Sequence, residues 1–316
     1  MTKVVFLDAA TMAATDLSPL QRPDVTLTLY PQTSAEQVLT HAKDAQVLIS
    51  NKVSLDAKAI AALPELRCIL VAATGVNMVD LVAAKAAGIV VCNVQGYAGT
   101  AVPQQVFALL LQLTNHIQSY HQAVQQGLWS QSSQFCLHLH PIEELADKTM
   151  TLIGYGDLGQ ATARLAEAFG MKVVIAERPD VTAVRPGRTA FENAVRQADV
   201  LSLHCPLNAA TEKLMNAKTL SWMKPTALLI NTARGGLIDE KALAEALTTG
   251  RLAGAALDVL SVEPPAASHV LLNKSIPNLI VTPHVAWASR QAMQRLVGQL
   301  SENLQAFIRQ QPVRQV

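Results

Sequence analysis

No apolar stretch in this sequence is long enough to cross a bilayer. The best candidate, Phe107 to Leu113, is interrupted by Gln112 and falls far short of the roughly 20 residues a spanning helix needs. At the N-terminus the run Val4-Val5-Phe6-Leu7 is closed by Asp8, too soon for the core of a secretory signal. An excess of either charge is also missing. The 25 Lys and Arg against 24 Asp and Glu leave a net +1, and the basic residues are dispersed, which excludes the basic stripe of a nucleic-acid binder. Charged residues make up only 16% of the chain and apolar ones half of it, so the sequence can bury a core and does not read as disordered. The expectation is a soluble, cytoplasmic protein with no membrane or nucleic-acid partner.

Cysteine is scarce too. Cys68, Cys92, Cys136 and Cys205 lie far apart and read as reduced, mostly buried thiols rather than a disulfide framework. Cys136-Leu137-His138-Leu139-His140 has alternate spacing that would put three metal-binding groups on one side of an extended chain. A structural zinc site asks for a fourth ligand and a recognisable pairing; neither is in view, and no metal is expected.

What the chain does contain is an alternation of β-rich runs and helical stretches. Strands are predicted over 4–8, 25–30, 47–50, 68–72 and 90–92, with helices over 35–43 and 81–87. The apolar stripe of Val102, Val106, Leu109, Leu110 and Leu113 begins a long helix over 100–126. A loop rich in Ser and Gln follows over 127–147. A second series then supplies strands over 151–153, 172–177, 200–205, 227–232, 254–259 and 279–282, and an amphipathic helix over 291–309 ends it. Continuous apolar strands separated by helices mean parallel sheets covered on both faces. At 316 residues two such series make two doubly wound α/β domains.

Gly154-Tyr155-Gly156-Asp157-Leu158-Gly159 matches G-x-G-x-x-G, a weak signal alone. Here it follows the apolar run Met150-Thr151-Leu152-Ile153 and opens a helical pattern, the order that dinucleotide binding needs. Gly154 permits the turn, Gly156 lets the backbone approach a pyrophosphate, and Gly159 lets helix and strand pack closely. Free N–H groups at the helix start hold the anion. Glu177 lies about 20 residues past Gly156, where an acid accepts hydrogen bonds from the adenosine ribose. That favours NAD. Arg178 comes next and could accept a 2′-phosphate, so NADP stays open.

Three polar residues stand at the ends of later strands: Arg234 after Ile230-Asn231-Thr232-Ala233, Glu263 beyond Val259, and His284 after Thr282-Pro283. Singly, each has a bland explanation as a surface ion pair, a solvated loop acid or a structural imidazole. Together, beside a dinucleotide turn, they make a set of complementary roles.

With these motifs the chain resembles the D-isomer-specific 2-hydroxyacid dehydrogenases over nearly its whole length. The specific parts are the glycine turn, His204-Cys205-Pro206-Leu207, the run from Asn231 through Arg234-Gly235-Gly236 to Asp239, Leu257-Asp258-Val259 with Glu263-Pro264, and Thr282-Pro283-His284. The resemblance implies a Rossmann NAD-binding domain over 99–286, inserted into a flavodoxin-like substrate domain made of 1–98 and 287–316. It implies that Arg234 binds the substrate's carboxylate and carbonyl. His284 is then the acid/base, with Glu263 favouring its charged form. Asp258 and the backbone near Thr232 and Ala233 would hold the nicotinamide carboxamide, with Cys205, Pro206 and Thr211 also at the cofactor. Thr74, Gly75 and Val76 resemble the loop whose amides meet the substrate carboxylate. The long helix and the loop around Trp129 resemble the dimer-forming region, so a homodimer is expected, with Trp129 a candidate to reach the neighbouring subunit.

Within the family the segments Ser50-Asn51-Lys52-Val53, Gly96-Tyr97 and Trp129 to Cys136 look most like glycerate dehydrogenase, or hydroxypyruvate reductase. Asn51 and Lys52 would suit a substrate with an extra hydroxyl. Ala101-Val102-Pro103-Gln104-Gln105 departs from the family's usual Ser-Val-Ala-Glu-His. Lactate- and phosphoglycerate-type substrates remain alternatives, as does a dinucleotide-sensing corepressor that binds protein partners.

Overall fold

Two blocks of short apolar strands make two separate parallel sheets. The computed structural model describes residues 1–181 and 183–316, and the chain divides into Met1–Ala98 with Ala288–Val316, and Gly99–Trp287.

In the first unit, strands β1 (Thr2–Phe6), β2 (Val25–Leu29), β3 (Val47–Ser50), β4 (Cys68–Val71) and β5 (Val90–Cys92) pair in the order β2-β1-β3-β4-β5, the flavodoxin-like order. β3 and β4 are buried at every residue, as strands covered on both faces must be. The helices between them are short: α1 (Val38–His41), α2 (Ala57–Ala61) and α3 (Leu81–Ala86). Asp56 and Asp80 start the last two by accepting the Ala59 and Ala83 N–H groups at 2.8 and 2.9 Å, ordinary N-caps. The helix expected over 35–43 is instead a 3-10 turn, Ala35–Gln37, leading into the single turn of α1.

The terminal helix α10 (Arg290–Ile308) belongs to this unit. It buries Ala292, Met293, Leu296, Val297, Leu300 and Leu304, the spacing of one helical face. The chain beyond it returns to β5: Gln315 bridges Cys92, and the Asn93 N–H donates to Arg314 O at 3.1 Å.

In the second unit, α4 (Ala101–Asn115) and α5 (Ile117–Gln125) precede the strands. They replace the single helix expected over 100–126. His116 breaks it, taking a left-handed φ of 51°, with its ring stacked on His140 at 4.7 Å. The break falls where the apolar stripe stops, for α4 buries nine residues and α5 only Ala123. Strands β6 (Thr149–Ile153), β7 (Lys172–Ile175), β8 (Val200–Leu203), β9 (Leu228–Asn231), β10 (Gly254–Leu257) and β11 (Leu279–Val281) pair in the order β11-β10-β9-β8-β6-β7. Helices α6 (Asp157–Ala168), α7 (Phe191–Gln197), α8 (Ala217–Trp222) and α9 (Glu240–Thr248) connect them. The order reverses between β6 and β8, the switch point where such sheets bind ligands. A further edge strand is reduced to one parallel bridge, Ala176 to Thr189. Trp287, counted above with the first domain, falls in this unit, its indole N–H donating to His284 O at 2.9 Å.

His204 follows β8 directly. Burial pushes its ring down to about 4, so it is neutral, with Nε2 2.9 Å from Ser202 Oγ. The unfolded chain binds this proton below pH about 6.5 while the folded chain does not. Stability is therefore full above that pH and declines as pH falls toward 4, by about 3 kcal/mol from this group. Chemical denaturation of His204→Gln and the parent protein at pH 7 and pH 5 checks it. The parent should lose more stability between the two pH values than the variant.

Candidate active site

The glycine turn sits between β6 and α6, as its sequence setting predicts. Gly154 has φ +95°, and a Cβ there would lie 2.5 Å from Cys205 N. A Cβ at Gly159 would lie 2.4 Å from Gly154 O. Any side chain at either position would force the strand, the turn and α6 apart. Gly156 differs, since a Cβ there meets nothing within 4 Å. It is open on the side a ligand would approach, and it precedes the unpaired N–H groups of α6 without a side-chain cap. Tyr155, Asp157 and Leu158 complete the turn.

A cavity of about 540 Å³ opens at this turn, lined by Gly154, Tyr155, Gly156, Glu177, Cys205 and Thr211 among others. Thr211 Oγ donates to Pro206 O at 2.7 Å, which folds the segment after Cys205 back on itself. Burial pushes the Cys205 thiol up to about 11, so it is a neutral, protonated wall. These residues fit a dinucleotide: a backbone cradle for an anion and a partly apolar slot. The Thr232 hydroxyl adds a buried polar atom that has no partner among the described residues. Glu177 stands at the cavity, but its buried carboxylate is already engaged by Arg185, and that pairing holds it well below the usual carboxylate range.

The three strand-end residues follow neighbouring strands β9, β10 and β11. His284 Nδ1 is 2.6 Å from Glu263 Oε2. The other Glu263 oxygen accepts the Leu260 N–H at 2.9 Å, which fixes the carboxylate. With Nδ1 engaged, Nε2 is the ring atom left to exchange a proton. His284 has φ +55°, a conformation non-glycine residues rarely hold. Its N–H donates to Asp258 O at 2.8 Å. The buried Asp258 carboxylate accepts from Thr282 Oγ, Val285 N and Ala286 N at 2.5, 3.0 and 2.7 Å. Four lone-pair sites leave room there for one more donor.

Arg234 is half-buried, with one guanidinium N–H on Ala233 O at 2.7 Å. Asn231 shapes its turn, donating to Arg234 O at 2.9 Å and accepting the Ala233 N–H at 3.0 Å. Gly235 then meets the segment that carries Glu263: a Cβ there would lie 1.9 Å from Leu260 C. Asn231 and Gly235 were both in the sequence motif, yet nothing in it showed that Gly235 ties the Arg234 turn to the Glu263 loop.

In the first unit, Asn51 and Lys52 follow β3. Both N–H groups point at the buried Asp8 carboxylate, at 2.9 and 2.6 Å. Burial pushes that carboxyl above its usual range despite these donors. The loop of Thr74, Gly75 and Val76 follows β4, and Asn93 holds it by donating to Thr74 O at 2.8 Å. Asn93 O in turn accepts from Asn303, whose side-chain oxygen accepts from Arg314, both at 2.8 Å. Asp8 and Asn93 were missed by sequence reasoning. A polar residue ending an apolar strand was the signal available.

Cys136, His138 and His140 do not gather on one side. Cys136 Sγ is 3.2 Å from His138 Nε2, whereas His140 turns to Ser119 Oγ at 2.6 Å. No helix among the described residues is long and apolar enough to cross a membrane.

Comparison with known proteins agrees with this geometry. Residues 107–286 match the family described as D-isomer specific 2-hydroxyacid dehydrogenase, NAD binding domain. Glycerate dehydrogenase of Methylorubrum extorquens is 42% identical over 313 residues, covering 98% of this chain and 97% of that protein. Hydroxypyruvate reductase of Blautia hydrogenotrophica is 36% identical over 284 residues, 89% of this chain and 88% of that one. Among solved structures, an acyclic imino acid reductase in complex with NADPH and D-Arg has a TM-score of 0.86 at 29% identity, with 100% of both chains covered. The chain belongs to the D-isomer specific 2-hydroxyacid dehydrogenases, and it is an NAD-dependent oxidoreductase acting on a CH–OH group.

Proposed function

We propose that this enzyme reduces hydroxypyruvate and glyoxylate to D-glycerate and glycolate. The observation that carries the reading is the 2.6 Å pair of His284 Nδ1 and Glu263 Oε2, one strand end away from the Arg234 turn. Support for the substrate comes from relatives named for glycerate, hydroxypyruvate and glyoxylate.

Bound NADH supplies the hydride that reduces C2 of the keto acid. Arg234 holds the substrate carboxylate through paired N–H groups and draws charge from the carbonyl. His284 gives the Nε2 proton to the oxygen as negative charge develops there. Glu263 keeps the ring oriented through its bond to Nδ1. The backbone N–H groups of Thr74, Gly75 and Val76 are our candidates for a second grip on the carboxylate. Asn51 and Lys52, fixed by Asp8, are candidates for the distal hydroxyl of hydroxypyruvate. We also infer a homodimer, supported by the apolar side chains that α5 and the next loop expose, Ile117, Val124, Trp129 and Phe135 among them.

Absorbance at 340 nm with a panel of keto acids tests the substrate. Hydroxypyruvate and glyoxylate should give the highest kcat/KM; preference for pyruvate or a phosphorylated hydroxy acid would overturn the choice. His284→Gln should lower kcat about 100-fold or more. Arg234→Lys keeps the charge but not the fork, and should raise KM by about tenfold or more. Gly235→Ala should cost about 1–3 kcal/mol of stability by overpacking and lower kcat as well, because the added methyl displaces the segment leading to Glu263. Light scattering should return twice the chain mass, and Phe135→Ser should shift it toward one.

A further inference from the structure

Glu263 reaches His284 from the loop that joins β10 to the 3-10 turn Val270–Leu272. Loops of this kind move unless other groups tie them down. One carboxylate holds this one on both sides of Glu263. Glu240 Oε1 accepts the Ser261 N–H at 2.8 Å, and Oε2 accepts the Ser261 hydroxyl at 2.6 Å. His269 Nε2 lies 3.1 Å from the same Oε2. The Leu271 N–H donates to His269 Nδ1 at 3.3 Å, so the ring's proton stands on Nε2 and faces Glu240. Ser261 precedes Glu263 and His269 follows it. The Glu240 and His269 side chains are only 14% and 13% exposed, which shields these bonds from competing water.

Glu240 can hold that loop because it stands on a rigid element. It is the first residue of α9, where the N–H groups of the helix start favour a carboxylate. Asp239 caps the helix by accepting the Ala242 N–H at 3.2 Å. Leu243 and Leu247 of α9 are buried in one core with Leu271 of the 3-10 turn. The chain enters α9 straight from the Arg234 turn, so the segment that opens with Arg234 ends by clamping the loop of Glu263. Close packing of Gly235 on Leu260 joins the same two segments. Glu240 adds a directional tie beyond it.

We propose that Glu240 is a positioning residue for the reaction: by clamping Ser261 and His269 it sets where the Glu263 carboxylate meets His284. Its three partner groups all donate to it, and each bond lost lets one flank of the loop drift. A displaced Glu263 leaves the imidazole free to turn, and Nε2 loses its aim at the substrate oxygen. Misplacement by about an ångström can cost about 100-fold in rate. The proposal rests on the reading of Glu263 and His284 as the acid/base pair, and it is independent of which keto acid is reduced.

Steady-state kinetics of Glu240→Ala test it, with hydroxypyruvate or glyoxylate, whichever the parent protein reduces faster, beside a fluorescence titration with NADH. In Glu240→Ala kcat should fall about tenfold or more, while the keto-acid KM and the NADH Kd stay within about twofold of the parent's. Glu240→Gln keeps an acceptor for the Ser261 N–H and should recover part of the loss. Ser261→Ala deletes one hydroxyl at an exposed position. It should show a smaller loss of the same kind, and it carries the test if Glu240→Ala folds poorly. In a Glu263→Gln background Glu240→Ala should lower kcat by less than about twofold more, because both changes act through one carboxylate. Parent-like kcat in Glu240→Ala overturns the proposal. So does an equal loss in both backgrounds, or a rise in KM and Kd that matches the fall in kcat, as general loosening of α9 would produce. A Glu263→Gln protein with parent kcat would reject the acid/base reading itself.

Discussion

The buried carboxylate of Asp258 is the constraint on which the candidate site depends. It follows β10 directly and accepts three donors from the segment after β11, while the Asp258 backbone carbonyl takes the His284 N–H. These bonds hold His284 in a left-handed conformation that an isolated residue would leave. A histidine free to relax there would swing its ring out of line with Glu263. The pair is short because the backbone on both sides has been decided elsewhere. Glu263 is fixed in the same way, through Leu260, which abuts Gly235.

A single device recurs in both units. A polar residue at the buried end of a parallel strand reaches across to the loop after a neighbouring strand and ties down its backbone. Asp8 does this for Asn51 and Lys52, Asn93 for Thr74, and Asp258 for Val285 and Ala286, while Asn231 does the same for the Arg234 turn that follows its own strand. Such loops would otherwise sample many conformations, and groups offered to a ligand from them would lose affinity to ordering. The strands are rigid, and each of these side chains extends that rigidity by one further turn.

Much of this was legible in the sequence. The parallel strands announced themselves as short continuous apolar runs, and each of the eleven strands among the described residues overlaps a predicted run. The glycine turn was readable because its spacing sat between a strand and a helix. What stayed hidden were contacts between residues far apart in sequence. Nothing near Glu177 revealed that Arg185 would fill its carboxylate, since an acid at a strand end looks the same whether free or paired. The break at His116 was hidden for another reason: it carries neither Gly nor Pro, and the ring of His140 stacked on the left-handed residue is distant in sequence. Asp8 resembled any acid after a strand until its two N–H partners were in place.

The return of the C-terminal segment to β5 has a consequence for how the protein is made. The first unit draws its edge bridge, its Asn303–Arg314 link and helix α10 from residues beyond 287, so it stays incomplete on the ribosome while the intervening unit is synthesised. That unit has all its strands once residue 287 is out. Domains tend to fold as units during synthesis, and here the order of completion runs inside out. The nascent protein carries a finished dinucleotide domain tethered to an open five-stranded sheet, whose exposed apolar face waits for the last helix.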